Sequence, residues 1–194
     1  MAAFARRMGI AAATRVLDIG GTPECWDLLE VKPRVTLVNM PRAGQGLGAE
    51  WVAGDGCALP FRDGAYDVVF SNSVIEHVGD MGRQRLFAAE VRRVGKAYWV
   101  QTPNRWFPVE QHLLTPLVHW LPKPWQERLV PGWNLWSVLV PARPDQRRFY
   151  IEHYLRDVRL LGVRDVRQLF PGARILRERF CGWTKSLIAM GGGR

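Results

Sequence analysis

Chemistry-bearing residues cluster at a few places along this chain. Asp18-Ile-Gly-Gly21-Thr-Pro-Glu24 ends a short apolar run with two glycines flanked by acids. Ala53-Gly-Asp55-Gly56-Cys57 repeats the pattern of an acid beside glycine. Ser71-Asn72-Ser73-Val-Ile-Glu76-His77 sets hydroxyls, an amide, a carboxylate and an imidazole close together, and His112 and His119 follow in a tryptophan-rich stretch. Bare N–H groups at a glycine turn before a helix suit an anion such as a pyrophosphate. Here Asp18 and Glu24 flank that turn, and each carboxylate opposes a phosphate by about 1 kcal/mol at contact even in water. A phosphate-free ligand carrying positive charge fits better.

These residues must be positioned by alternating elements. Residues 2–13 read as an Ala-rich helix and Arg15–Gly21 as a buried strand meeting a tight turn. A helix is expected over 23–31, with Pro23 in its first turn. Arg34–Asn39 reads as a β-branched strand, followed by a loop with Gly44, Gly46 and Gly48. Further strands are expected at Glu50–Ala53, Ala65–Phe70 and Ala97–Gln101, the last stopped by Thr102-Pro103, with a helix at 80–94 between the latter two. Helices at 146–161 and 163–170 and a strand pair, 174–180 and 185–190, close the chain. Strands alternating with helices predict a doubly wound, mostly parallel α/β sheet. Its ligands collect at the carboxyl ends of the strands. Those ends carry Asp18–Gly20, Asn39, Asp55, Ser71-Asn72 and Gln101-Thr102.

Composition narrows the function classes. With 194 residues, 47% hydrophobic and 23% charged, the chain suits one globular domain, expected over 1–194 with an insertion at 104–146. The net charge of +9 comes almost entirely from scattered arginines, not from a basic cluster. Cys25, Cys57 and Cys181 form no CxxC pair, which withholds support from zinc–thiolate and thioredoxin-like chemistry and suits a reducing, cytoplasmic setting. The apolar run Met8–Ala13 is too short for an export signal, and no apolar stretch is long enough to span a membrane.

In order and spacing, three of these segments resemble the motifs of class I S-adenosylmethionine-dependent methyltransferases of the small-molecule branch. Val16–Gly21 resembles the first-strand motif, Ala53–Gly56 the third, and Tyr66–Ser73 the fourth, with Val74–Val78 following. The resemblance implies a Rossmann-like, seven-stranded sheet with an antiparallel last strand, and S-adenosylmethionine as cofactor, leaving as S-adenosylhomocysteine. It implies that Asp18 lies near the methionine ammonium and that Gly20 and Gly21 admit backbone to the cofactor. Asn39 would meet the ribose, with Met40 beside it as a further cofactor-binding residue. Asp55 would accept from the adenine amine, Gly56 and Cys57 would face the ring, and Ser71 and Asn72 would sit near the reacting methyl.

The chain departs from that pattern in three ways. Asn39 stands where an acid usually grips the ribose, and can hydrogen-bond without charge assistance. Thr22 and Glu24 replace glycines of the first turn. Some relatives bind a divalent metal through Glu-x-x-Glu-His; Ser73 replaces the first Glu here, leaving one carboxylate and one imidazole, so no metal is expected.

His77 is the motif-linked candidate base, with His112 and His119 as others. Ser71-Asn-Ser-Val74 lacks the Asp/Asn-Pro-Pro-aromatic signature of methylation at exocyclic base amines. The insertion holds five of nine tryptophans (Trp106, Trp120, Trp125, Trp133, Trp136), and Trp106 and His112 are its candidate acceptor or lid residues. A small-molecule or lipid-like acceptor methylated at oxygen is expected, with peripheral membrane contact open. The alternatives are an RNA methyltransferase, motivated by the charge, and a non-catalytic S-adenosylmethionine-binding member of the fold, motivated by Asn39 and the abbreviated turn.

Overall fold

The computed structural model describes residues 1–40, 51–132, 135, 139 and 143–192. The expected glycine loop at Gly44, Gly46 and Gly48, together with Glu50, Trp133 and Trp136, lies outside the described residues. Sheet strands are β1 (Arg15–Ile19), β2 (Arg34–Asn39), β3 (Trp51–Ala53), β4 (Tyr66–Asn72), β5 (Gly95–Pro103), β8 (Arg174–Phe180) and β9 (Trp183–Gly192), ordered β3-β2-β1-β4-β5-β9-β8. The first five pair in parallel, whereas β9 runs antiparallel to both β5 and β8. The chain therefore winds outward from β1 in both directions, and the change of direction falls between β1 and β4. Polar residues ending those two strands meet there.

Strands buried on both faces explain the near-continuous apolar runs. Leu17, Ile19, Val69 and Val100 face one side and pack with Phe87, Val91, Val166 and Phe170. These come from α3 (Met81–Val94) and from α6 (Val163–Leu169) with its C-terminal neighbour. Val16, Val68, Phe70 and Trp99 face the other side, against Phe4 of α1 (Ala2–Met8) and Trp26 of α2 (Glu24–Asp27). The rings of Phe4, Trp26, Phe70 and Trp99 make edge-on contacts there, with centroids 4.7–5.9 Å apart.

Two helices are shorter than expected, for local reasons. α1 stops at Met8 because Gly9 adopts the left-handed conformation (φ 62°) and returns its N–H to Ala5. α2 ends at Asp27, not at 31. Lys32 folds back to hydrogen-bond the carbonyls of Trp26 and Asp27, and Pro33 keeps the preceding residue out of the helical region. α3 begins one residue after its Asp80 cap, whose carboxylate accepts from the Arg83 N–H at 2.9 Å.

The segment after β5 is not purely helical. It contains a two-stranded antiparallel ladder, β6 (Val109–Glu110) with β7 (Thr115–Pro116), then α4 (Lys123–Leu129) and α5 (Pro144–Asp157). Leu113, Val118, Val130, Ile151, Tyr154 and Val158 form a small core of their own. A bridge between Asn104 and Leu161 ties the two ends of the segment together beside β5. No helix among the described residues is long and apolar enough to cross a membrane.

Candidate active site

The glycine turn after β1 is built from below. Gly20 has φ +81°, and its N–H bonds the Val38 carbonyl of β2 at 2.8 Å. A Cβ there would sit 2.4 Å from the Val74 side chain, so both the backbone angle and the space require glycine. Directly under Gly21 lies the Asp18 carboxylate, only 1% exposed. One of its oxygens accepts from the Trp26 indole N–H at 2.8 Å; the other is buried with no hydrogen-bond partner. Burial raises its pKa from 3.8 to about 7, against the opposing pull of the Trp26 hydrogen bond. Asn39, at the end of β2, closes the turn from the side by donating to the Gly21 carbonyl at 3.0 Å. Met40 is exposed beyond it.

Asp55 stands one turn after β3 and is part-exposed. It accepts from the Cys57 N–H at 2.9 Å and pairs with the Arg83 guanidinium at 2.7 Å, contacts that hold its carboxyl below the usual range. Gly56 packs on Phe87, and Cys57 is buried beside it. Burial, reinforced by the negative charge of Asp55, pushes the Cys57 thiol up to about 11, which keeps it an inert packing group. Ser71 is fully buried and donates its hydroxyl to the Ile19 carbonyl, tying β4 to β1. Asn72 is exposed at the strand end, and Ser73 after it takes a positive φ of 56°. Strained backbone of this kind in a non-glycine residue is concentrated at functional sites.

Beyond Ser73 a second cluster forms. Glu76 is completely buried, and one oxygen accepts from the Thr102 hydroxyl at 2.9 Å while the other has no hydrogen-bond partner. Burial raises its pKa to about 7. His112 arrives from the insertion, with its Nε2 3.0 Å from His77 Nε2 and 3.9 Å from Glu76 Oε1. Its ring is set by Glu110, whose carboxylate takes Nδ1 at 2.5 Å and also accepts from the backbone N–H groups of His112 and Leu113. Burial opposes the imidazolium of His112, but Glu110 and Glu76 outweigh it and the pKa is raised.

The rim residues named from sequence thus end or follow neighbouring strands of the sheet, and His77 meets His112. Trp106 goes elsewhere: it is 61% exposed, against Gly162 and Trp120, whose ring centroid is 6.3 Å away. His119 is separate too, bonded through Nε2 to the Arg105 carbonyl. Sequence reasoning did not identify Arg83, Glu110, Trp26 or Thr102 as partners. His112 lies in the turn after β6 (Val109–Glu110), so no strand periodicity pairs it with Glu110. A cavity of about 900 Å3 lined by Arg15, Arg34, Thr36 and Tyr66 lies toward the amino ends of the strands, away from these groups.

Residues 28–97 match the family described as Methyltransferase domain. No curated protein matches the chain. Solved structures share its fold at low identity. A Pyrococcus horikoshii protein is 15% identical with TM-score 0.55, over all of this chain and 87% of its own. A Methanosarcina mazei S-adenosylmethionine-dependent methyltransferase is 13% identical with TM-score 0.50, over 94% of each chain. A Rhodobacter sphaeroides protein labelled a Zn-dependent alcohol dehydrogenase is 13% identical with TM-score 0.62, over 95% of this chain and 85% of its own. The match over residues 28–97 and the shared strand order give this chain the fold of these structures, with a methyltransferase-domain match over about a third of its length.

Proposed function

We propose that this protein transfers a methyl group from S-adenosylmethionine to a hydroxyl of a small-molecule or lipid-like acceptor. The observation that carries the reading is the sheet rim. Asp18 under Gly21, Asn39 beside it and Asp55 beyond β3 form an acidic, phosphate-averse row along adjoining strand ends. The unpartnered oxygen of Asp18 suits an ammonium, and the outer oxygen of Asp55 suits an exocyclic amine once Arg83 yields it. When bound, the cofactor supplies a sulfonium-activated methyl group.

The chain's own task is alignment, worth several kcal/mol when the reacting atoms are held in line. Gly20 and Gly21 keep side chains out of the approach. Asn72 ends β4 where it adjoins the glycine turn and Ser73 follows it, and the Glu76–His77–His112 cluster beyond them presents nitrogen and oxygen lone pairs to hold an acceptor hydroxyl. That cluster favours an oxygen acceptor. Against a phosphate-driven RNA acceptor, several arginines are engaged within the chain: Arg15 with Asp67, Arg83 with Asp55, Arg93 with Glu90 and Asp63, and Arg105 with Asp165.

Calorimetry with S-adenosylhomocysteine tests the cofactor half; absence of heat at high micromolar ligand would refute it. Tritiated methyl from S-adenosylmethionine, supplied with cell extract, is expected in the organic-extractable or small-molecule fraction. Label confined to RNA would overturn the acceptor class. Asp55→Ala is expected to lower S-adenosylhomocysteine affinity roughly tenfold, about 1.4 kcal/mol. Its melting temperature should barely change, because a part-exposed pair such as Asp55–Arg83 adds about 0–1 kcal/mol. Wild-type affinity in this variant would remove Asp55 from the adenine site.

A further inference from the structure

The cluster beyond β4 holds more than a hydroxyl requires. Three potential ligand atoms, from Glu76, His77 and His112, lie within 4.8 Å of one another. The two imidazole Nε2 atoms are 3.0 Å apart, and the carboxylate oxygen 3.9 Å from one of them is buried without a hydrogen-bond partner. A proton shared between the imidazoles would account for their contact, yet it would leave that oxygen unsatisfied at full burial, which costs about 1–3 kcal/mol or more. A cation among the three satisfies all of them. Ligands at 2.0–2.2 Å in a tetrahedron stand about 3.4 Å apart, and the two separations straddle that value.

The surroundings are those of a metal centre as well. Glu110 holds His112 Nδ1, which directs the lone pair of Nε2 into the cluster. Carboxylate support of this kind behind a ligating imidazole fixes its tautomer and raises its basicity. Thr102 holds the other oxygen of Glu76 and so fixes the carboxylate's direction. No cysteine takes part: Cys25 and Cys181 are exposed, and Cys57 lies beside Asp55. The expectation of no metal counted only Glu76 and His77; the folded chain adds His112 and its supporting Glu110.

We propose that Glu76, His77 and His112 bind a divalent first-row transition metal of the Zn2+ type, with Glu110 as the group that orients His112. Two imidazoles and one carboxylate select such an ion over Mg2+, which prefers an octahedron of oxygens. Three protein ligands leave one position open, the arrangement of a site that receives a further oxygen. The ion binding stands by itself. Only its role as holder of the acceptor hydroxyl rests on the methyltransfer reading above.

The test uses the full chain without a histidine tag, stripped with EDTA and equilibrated with Zn2+ and excess Mg2+. Elemental analysis is expected to find about one Zn2+ per chain and no retained Mg2+. Glu76→Gln and His112→Ala should each lose it, and Glu110→Gln should weaken Zn2+ affinity about 10–100-fold. The Co2+-substituted wild-type protein, which needs no variant to fold, should show d–d bands without a thiolate charge-transfer band. Zn2+ near zero in the wild type, retention undiminished in both ligand variants, or a thiolate band would each overturn the site. S-adenosylhomocysteine calorimetry on the same samples separates the readings: metal without cofactor binding refutes the methyltransfer reading and leaves the metal site standing, and cofactor binding without metal does the reverse.

Discussion

Asp18→Asn is expected to raise the melting temperature at pH 8 by several degrees while weakening S-adenosylhomocysteine binding at least tenfold. Both effects come from one buried carboxyl. In the native protein its pKa is about 7, whereas in the unfolded chain it returns to the ordinary 3.8. The native state therefore holds the proton over a range in which the unfolded chain has released it. Stability is fully present below the unfolded value, falls as pH rises between roughly 4 and 7, and stays reduced above. The loss is on the order of 4 kcal/mol.

An asparagine keeps an oxygen for the Trp26 indole and carries no charge, so the pH slope should vanish in the variant. On the proposed reading a cofactor ammonium, by contrast, needs the carboxylate. Wild-type affinity should rise as pH passes through 7 and approach that of the variant near pH 5.5. Thermal melts and calorimetry across pH check both limbs. If Asp18→Asn binds like the wild type at pH 8, Asp18 supports the glycine turn and nothing more.

Val69→Asp is expected to abolish the fold. Val69 is fully buried in β4, in register with Leu17 of β1 and Tyr98 of β5, and packs among Phe87, Val91 and Val94. A carboxylate there meets no cation. Leaving one buried charge unpaired costs about 3–5 kcal/mol, a large share of the roughly 5–15 kcal/mol that holds a domain together. The lost packing of the valine adds to it. The variant should be insoluble or melt without a cooperative transition in far-UV circular dichroism, with Val69→Ala as a folded, less stable control. A soluble, cooperatively melting Val69→Asp protein would contradict the two-sided burial of β4.

Much of the rim was legible because its causes are local. Asp18, Gly20, Asn39 and Asp55 each end or follow a strand, and the apolar, β-branched runs before them read as strands. Helix ends were less legible. A left-handed Gly9 and the reach of Lys32 back to the Trp26 and Asp27 carbonyls shortened two helices whose Ala-rich or periodic sequences suggested more. The insertion was read as partly helical, and its short ladder went unseen because two-residue strands leave no period to detect. Its exposed tryptophans had suggested a pocket lining, yet Trp106 faces outward and it is His112 that turns in.

From the amino acids alone came the doubly wound fold and the acidic and glycine-bearing rim, since apolar runs, turn residues and right-handed crossovers act over short stretches and leave few ways to wind a sheet. The meeting of His112 with His77 across 35 residues, the Glu110 brace and the Arg83–Asp55 pair came only with the folded chain. Such contacts depend on where a long insertion returns and which rotamers its packing permits, and no pattern of neighbours along the sequence encodes that.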